Sequence, residues 1–157
     1  MGHININVKS KAPLDIVYDI AHRTYDFVDV LPNIRRIRKL EENKNRTYSK
    51  TEWVLDFPLP KILGEISWIK DAHWEDTENK CNFCLNRNSK GIVKYINGQW
   101  YFKECPEGTD MRMNVDLTVE HFLIGGHTKM MIDKILKTNL ESLLKAISEE
   151  AEKHSIA

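Results

Sequence analysis

The chain has 157 residues, with 23 basic and 23 acidic side chains, a net charge of zero and 41% hydrophobic residues. This length predicts one domain spanning residues 1–157, burying roughly two-thirds of its unfolded surface, and the charge balance leaves no basic field to hold nucleic acid or an anionic membrane. Three cysteines fit a reducing compartment, and neither a signal peptide nor an integral membrane segment is legible, so a cytoplasmic protein is expected.

Ile4, Ile6 and Val8 alternate with Asn5, Asn7 and Lys9, the period-2 pattern of a half-buried strand. Pro13 then occupies a first helical position, followed by Ile16, Val17, Ile20 and Ala21 at helical spacing. A second short helix is predicted from Tyr25 to Leu31, ending at Pro32. From Ile34 to about His121 six strands are expected, separated by turn-rich pieces at 42–46, 58–61, 75–80, 88–91 and 106–109. The clearest runs from Thr109 to His121, where Met111, Met113, Val115, Leu117 and Val119 alternate with polar residues. Gly125-Gly126 forms a flexible loop able to gate, and a helix of about 25 residues, about 37 Å long, follows with Ile132, Leu136, Leu140, Leu143 and Ile147 on one side.

Strands without intervening helices pair antiparallel, and one long helix can cover one face of the sheet they make. The predicted class is therefore α+β: a helix-grip arrangement with a curved antiparallel sheet of about seven strands, a long C-terminal helix and two short helices after the first strand. The opening Ile4–Pro13 with Val17-Tyr18, the Thr51-Glu52-Trp53 strand, Ser67-Trp68-Ile69, Ile96–Trp100, Glu107–Arg112 and Asn139–Leu144 carry a resemblance that spans nearly the whole chain. On these the sequence resembles the START-like (SRPBCC) superfamily, and within it the polyketide cyclase/dehydrase (aromatase/cyclase) and coenzyme Q-binding group. The resemblance implies a deep apolar cavity between sheet and C-terminal helix, with no cofactor and no metal.

Strand parity nominates residues for such a cavity, although apolar stripes on a sheet also simply pack as core. Ile66 and Trp68 share a face with Ala72 and Trp74; Cys81, Phe83, Leu85 and Arg87 share another; Ile96, Gly98, Trp100 and Phe102 lie beside Met111 and Met113. Phe27 and Ile34 are candidates near the mouth, Trp53 for the floor, and Trp74 for the rim. Trp68, Trp100, Met113 and Phe27 also fall where the resemblance implies pocket residues. Arg87 is the polar candidate for anchoring ligand oxygens, since the resemblance implies a pocket arginine there and a buried guanidinium needs a partner; the alternative is that it lies beyond the strand end, in solvent. This chain carries Asp71-Ala72-His73 where aromatase/cyclases have a second arginine, and Ile34 where they have a tyrosine.

Tyr95 and His73 are the candidates for moving a proton, although parity points both away from the face holding Trp100 and Trp68. Cys81 and Cys84 have CxxC spacing, but on a strand they face opposite sides, so no metal site is expected. Two functions follow. One is a cyclase that closes and dehydrates a poly-β-ketone held in the cavity, with an acyl carrier protein as candidate partner. The other is a carrier of a quinone, lipid or other apolar metabolite without turnover. Either a monomer or a homodimer is compatible with the sequence.

Overall fold

The structure, a computed structural model, describes residues 2–56, 66–89, 91–121 and 123–155. Strands β1 (Gly2–Ser10), β2 (Ile34–Glu42), β3 (Tyr48–Leu55), β4 (Ile66–Glu75), β5 (Lys80–Leu85), β6 (Val93–Cys105) and β7 (Gly108–Val119) form one sheet in the order β1-β7-β6-β5-β4-β3-β2. Every neighbouring pair is antiparallel. Between β1 and β2 the chain runs through helix α1 (Leu14–Ala21) and a 3₁₀ helix (Thr24–Val30), which carry it from one edge of the sheet to the other. Helix α2 (Gly126–Ser155) closes the concave face; at 1.5 Å per residue its 30 residues extend about 45 Å.

Alternation fixes which face is buried. In β7, Thr109, Met111, Met113, Val115, Leu117 and Val119 are buried, whereas Arg112 and Asn114 are exposed. Facing them, α2 buries Ile132, Leu136, Leu143, Leu144, Ile147 and Ala151, so one apolar core fills the space between sheet and helix. Asn139 interrupts that stripe and is also buried: its Oδ1 accepts from the Asn33 backbone N–H at 3.1 Å, and its Nδ2 donates to Asn33 Oδ1 at 3.1 Å. The pair satisfies otherwise buried polar groups and fixes the middle of α2 against the entry to β2.

The elements differ from expectation in three places. Pro13 is the cap rather than the first helical residue, with extended backbone (φ −62°, ψ 152°), and its carbonyl accepts the Val17 N–H at 3.1 Å. The second short helix is 3₁₀, closed by i to i+3 bonds such as Leu31 N–H to Val28 O. Helix α2 starts at Gly126, so only Gly125 of the expected glycine hinge stays outside it. The turn expected at 58–61 lies outside the described residues, as does the strand start expected at 62–65.

Strand β2 is an open edge. It carries Arg35, Arg36, Arg38 and Lys39, and its register with β3 shifts twice, between Ile34 and Arg36 and between Lys39 and Glu41. Arg36 and Arg38 both reach Glu52 Oε1, at 3.1 and 3.3 Å. No helix among the described residues is long and apolar enough to cross a membrane.

Candidate functional site: the cavity beneath the C-terminal helix

Cross-strand register assembles the inner face row by row. Trp53 pairs with Trp68, and their rings stack at 5.9 Å and 13°. Another row runs Ala72, Phe83, Gly98, Val115. Gly98 is required there, because a Cβ at that position would overlap the Phe83 ring, which lies against the β6 backbone. Trp74, Cys81, Trp100 and Met113 make a third row.

Between these rows and α2 lies an enclosed cavity of about 50 Å³ with almost wholly apolar walls. The sheet contributes Trp53, Trp68, Phe83, Ile96, Trp100 and Met113, while Leu136, Leu140 and Leu143 of α2 form the opposite wall. Thr24, Leu31 and Ile34 close it on the side of the 3₁₀ helix.

Lys70 is the charged residue among the described wall residues. It is half-buried, and its Nζ stands 4.9 Å from the ring centroids of both Trp53 and Phe83. Each ring face returns about 0.5–2 kcal/mol of the hydration an ammonium loses. No carboxylate of a described residue pairs with it, and burial holds its pKa below the ordinary lysine value. Cys81 is itself buried, which pushes its pKa up to about 12 and keeps it neutral at physiological pH. Trp100 is 2% exposed, and its Nε1 has no hydrogen-bond partner among the described residues. Lys70 and Trp100 thus bring an amine and an unpaired indole N–H to residues that line the cavity, alongside Thr24.

Of the sequence-predicted contacts, the structure brings Ile34, Trp53, Trp68, Phe83, Ile96, Trp100 and Met113 to this wall. Ile66 and Met111 are buried in the core outside it, and Leu85 and Phe27 are half-buried against the core. Arg87 does not line the cavity; it is exposed in the turn after β5. Its strand ends at Leu85, where Asn86 N–H donates to Ile69 O at 2.7 Å and Asn86 Oδ1 accepts from Asn88 N–H at 2.8 Å, turning the chain outward. Tyr95, 41% exposed, borders the same shallow outer groove as Arg87. The β6 register shift between Val93 and Tyr95 does not turn the phenol inward. His73 is exposed beside the Tyr48 ring, at 5.1 Å.

Trp74, expected at the rim, is buried. Helix α1 lays His22 against it in a stack at 3.7 Å and 19°, and Tyr18 meets it edge-on at 5.3 Å. His22 Nδ1–H donates to Tyr18 O at 2.7 Å, and burial lowers its pKa from the ordinary 6.5. The Tyr18 hydroxyl donates to Asp76 at 2.7 Å; burial and then this carboxylate push its pKa up.

The sequence reading misses Lys70, although its shared parity with Trp68 and Ala72 is a signal that could have found it. Thr24, Leu31, Leu136, Asn139 and Leu143 come from helices and the segments beside them, and strand parity is silent about them. Cys81 is buried and Cys84 exposed, so they do not converge, and no group of three or more potential metal ligands occurs among the described residues.

No family model matches the chain, and no curated protein matches it in sequence. Solved structures do. A protein of Thermus thermophilus superimposes with a TM-score of 0.80 at 20% identity, covering 98% of this chain and 99% of that one. The ZhuI aromatase/cyclase of Streptomyces sp. R1128 gives 0.78 at 17% identity, covering 96% and 93%. A STAR-related lipid transfer protein of Xanthomonas axonopodis gives 0.72 at 12%, covering 91% and 84%. With the sheet order, the long closing helix and the enclosed apolar space already described, these likenesses give the chain the START-like helix-grip fold.

Proposed function

We propose that this chain binds an apolar small molecule bearing at least one oxygen acceptor, held between α2 and the sheet. The observation carrying this reading is the cavity wall itself, in which Trp53, Trp68 and Trp100 share an apolar lining with a single amine, that of Lys70, set over the Trp53 and Phe83 rings. Apolar walls supply most of the binding free energy, and a few placed donors fix orientation. Ligand sites usually span about 300–1,000 Å³. A cavity of about 50 Å³ must therefore enlarge, and Leu31, Leu136 and Leu140 are the wall side chains that stand between sheet and helices.

The finer reading is a cyclase-like reaction, aldol closure and dehydration of a poly-β-ketone presented by an acyl carrier protein. Likeness to an aromatase/cyclase supports it. So does Lys70, placed to steady an enolate oxygen in an apolar site. A second reading, carriage of a quinone or lipid without turnover, draws support from the exposed positions of Arg87, Tyr95 and His73, which leave those groups outside the cavity.

Binding is tested by titrating 1-naphthol into the protein: tryptophan fluorescence should be quenched and the melting temperature should rise. Unchanged values of both would remove the ligand-binding reading. Incubation with a linear poly-β-ketone thioester then separates the two finer readings, because only turnover forms one aromatic product faster than the spontaneous cyclisation seen without protein.

A further inference from the structure

We propose that the Lys70 amine captures aldehyde or ketone ligands covalently, as an imine, inside this cavity. The inference rests on the reading that the cavity takes apolar ligands and adds the chemistry that one of its walls can perform.

Three observations support it. The first is isolation: Lys39, Lys50 and Lys80 each sit beside a glutamate carboxylate, at 3.4, 3.5 and 3.0 Å, whereas Lys70 faces the rings of Trp53 and Phe83 with no carboxylate of a described residue to hold its proton. The second is position. Lys70 lines both the main cavity and a smaller void of about 10 Å³ beyond it, so its amine stands at the wall a ligand meets. His22, Tyr25, Lys39 and Cys81 border that smaller void, and they supply no carboxylate. The third is Trp100, which lines the same two spaces and whose buried indole N–H has no hydrogen-bond partner among the described residues, leaving a donor for a carbonyl oxygen.

Only an unprotonated amine attacks a carbonyl, and a desolvated amine loses its proton more readily than one in water. Burial shifts Lys70 in that direction. In the step itself the Nζ lone pair forms a bond to the carbonyl carbon, and the C=O π pair moves onto oxygen, where the Trp100 N–H can meet it. One nitrogen-bound proton passes to that oxygen, giving a carbinolamine. Loss of the hydroxyl with the second proton as one water leaves the C=N bond. No oxidant or reductant is consumed, so the same step serves a carrier of a carbonyl compound or an enzyme that uses the imine to draw electrons from the adjacent carbon.

Full-length protein is incubated at about pH 7 with benzaldehyde and cyanoborohydride, which fixes any imine as a stable benzylamine, and the modified lysines are mapped by mass spectrometry. Labelling of Lys70 is expected to run about tenfold or more ahead of any exposed lysine. Lys70→Arg keeps the charge but forms no imine, so this variant should lose the fast label; in the wild-type chain toluene should shift the indole N–H resonances of Trp68 and Trp100. Uniform labelling across the lysines overturns the proposal, as does a fast label that survives in Lys70→Arg. Because the lysine map is read on the wild-type chain, the test holds even where a variant folds poorly. If toluene leaves the indole resonances unmoved, the cavity reading fails as well; if toluene binds and Lys70 is not preferred, only the imine fails.

Discussion

Trp68 and Trp74 stand on the same strand and the same face, each 7% exposed, yet they have opposite surroundings. Among the described residues Trp68 has a single ring neighbour, Trp53, and it borders the cavity. Trp74 meets Tyr18, His22, Trp100 and Phe102 at centroid distances from 3.7 to 6.1 Å. The difference lies overhead. Helix α1 and the residue that caps it fill the space above Trp74 with two rings, whereas α2 passes Trp68 with aliphatic side chains that leave a gap. Parity along a strand selects the buried face; the element packed on it decides between core and cavity.

The sharpest way to break this contrast is to remove each tryptophan in turn. Trp74→Ala should cost about 3–5 kcal/mol in urea unfolding, because a close-packed ring cluster collapses poorly around the loss. Trp68→Ala should cost less, since part of that ring already faces empty space, while ligand-induced stabilisation disappears. Equal losses would erase the distinction between the two halves. Gly98→Ala extends solid packing into the open half: the new methyl drives the Phe83 ring toward the cavity, costs about 1–3 kcal/mol, and shrinks the melting-temperature rise given by aromatic ligands.

Smaller effects sharpen the electrostatic side of the contrast. Lys70→Met keeps the bulk of the wall and removes a half-buried amine, so stability should stay level or rise by up to about 1 kcal/mol. A larger loss would mean that the two ring faces hold the ammonium more strongly than burial opposes it. His22, on the packed side, resists protonation in the folded state. The unfolded chain therefore takes up the proton first, and the wild type should lose stability as pH falls below about 6.5, levelling off at the folded-state pKa. His22→Gln should flatten this part of the pH–stability curve by a fraction of a kcal/mol, measured by thermal melts between about pH 5 and 7.

How legible each feature was depended on how local its cause is. The sheet was readable because each strand alternates within itself, as β7 does from Thr109 to Val119. Wall residues such as Trp68 and Phe83 followed from the same alternation. Lys70 lay on a legible position but reads as a solvent-facing charge, and only the rings of Trp53 and Phe83 reveal where its amine rests. Arg87 was assigned by extending the Phe83 stripe two residues too far; the asparagine turn at Asn86–Asn88 ends the alternation. The burial of Trp74 depends on His22 and Tyr18, more than fifty positions earlier in the chain, and no period within β4 encodes that meeting.

Among the described residues β2 is a sheet edge, which bears on how this sheet resists edge-to-edge pairing in a crowded solution. A sheet with unpaired backbone groups on its last strand invites a second copy to add to it. Four cations between Arg35 and Lys39 place like charge against like charge where β2 pairs with itself in parallel register, and the two register shifts deny an incoming strand an even ladder. The edge thus works against fibril-like stacking of one sheet on another.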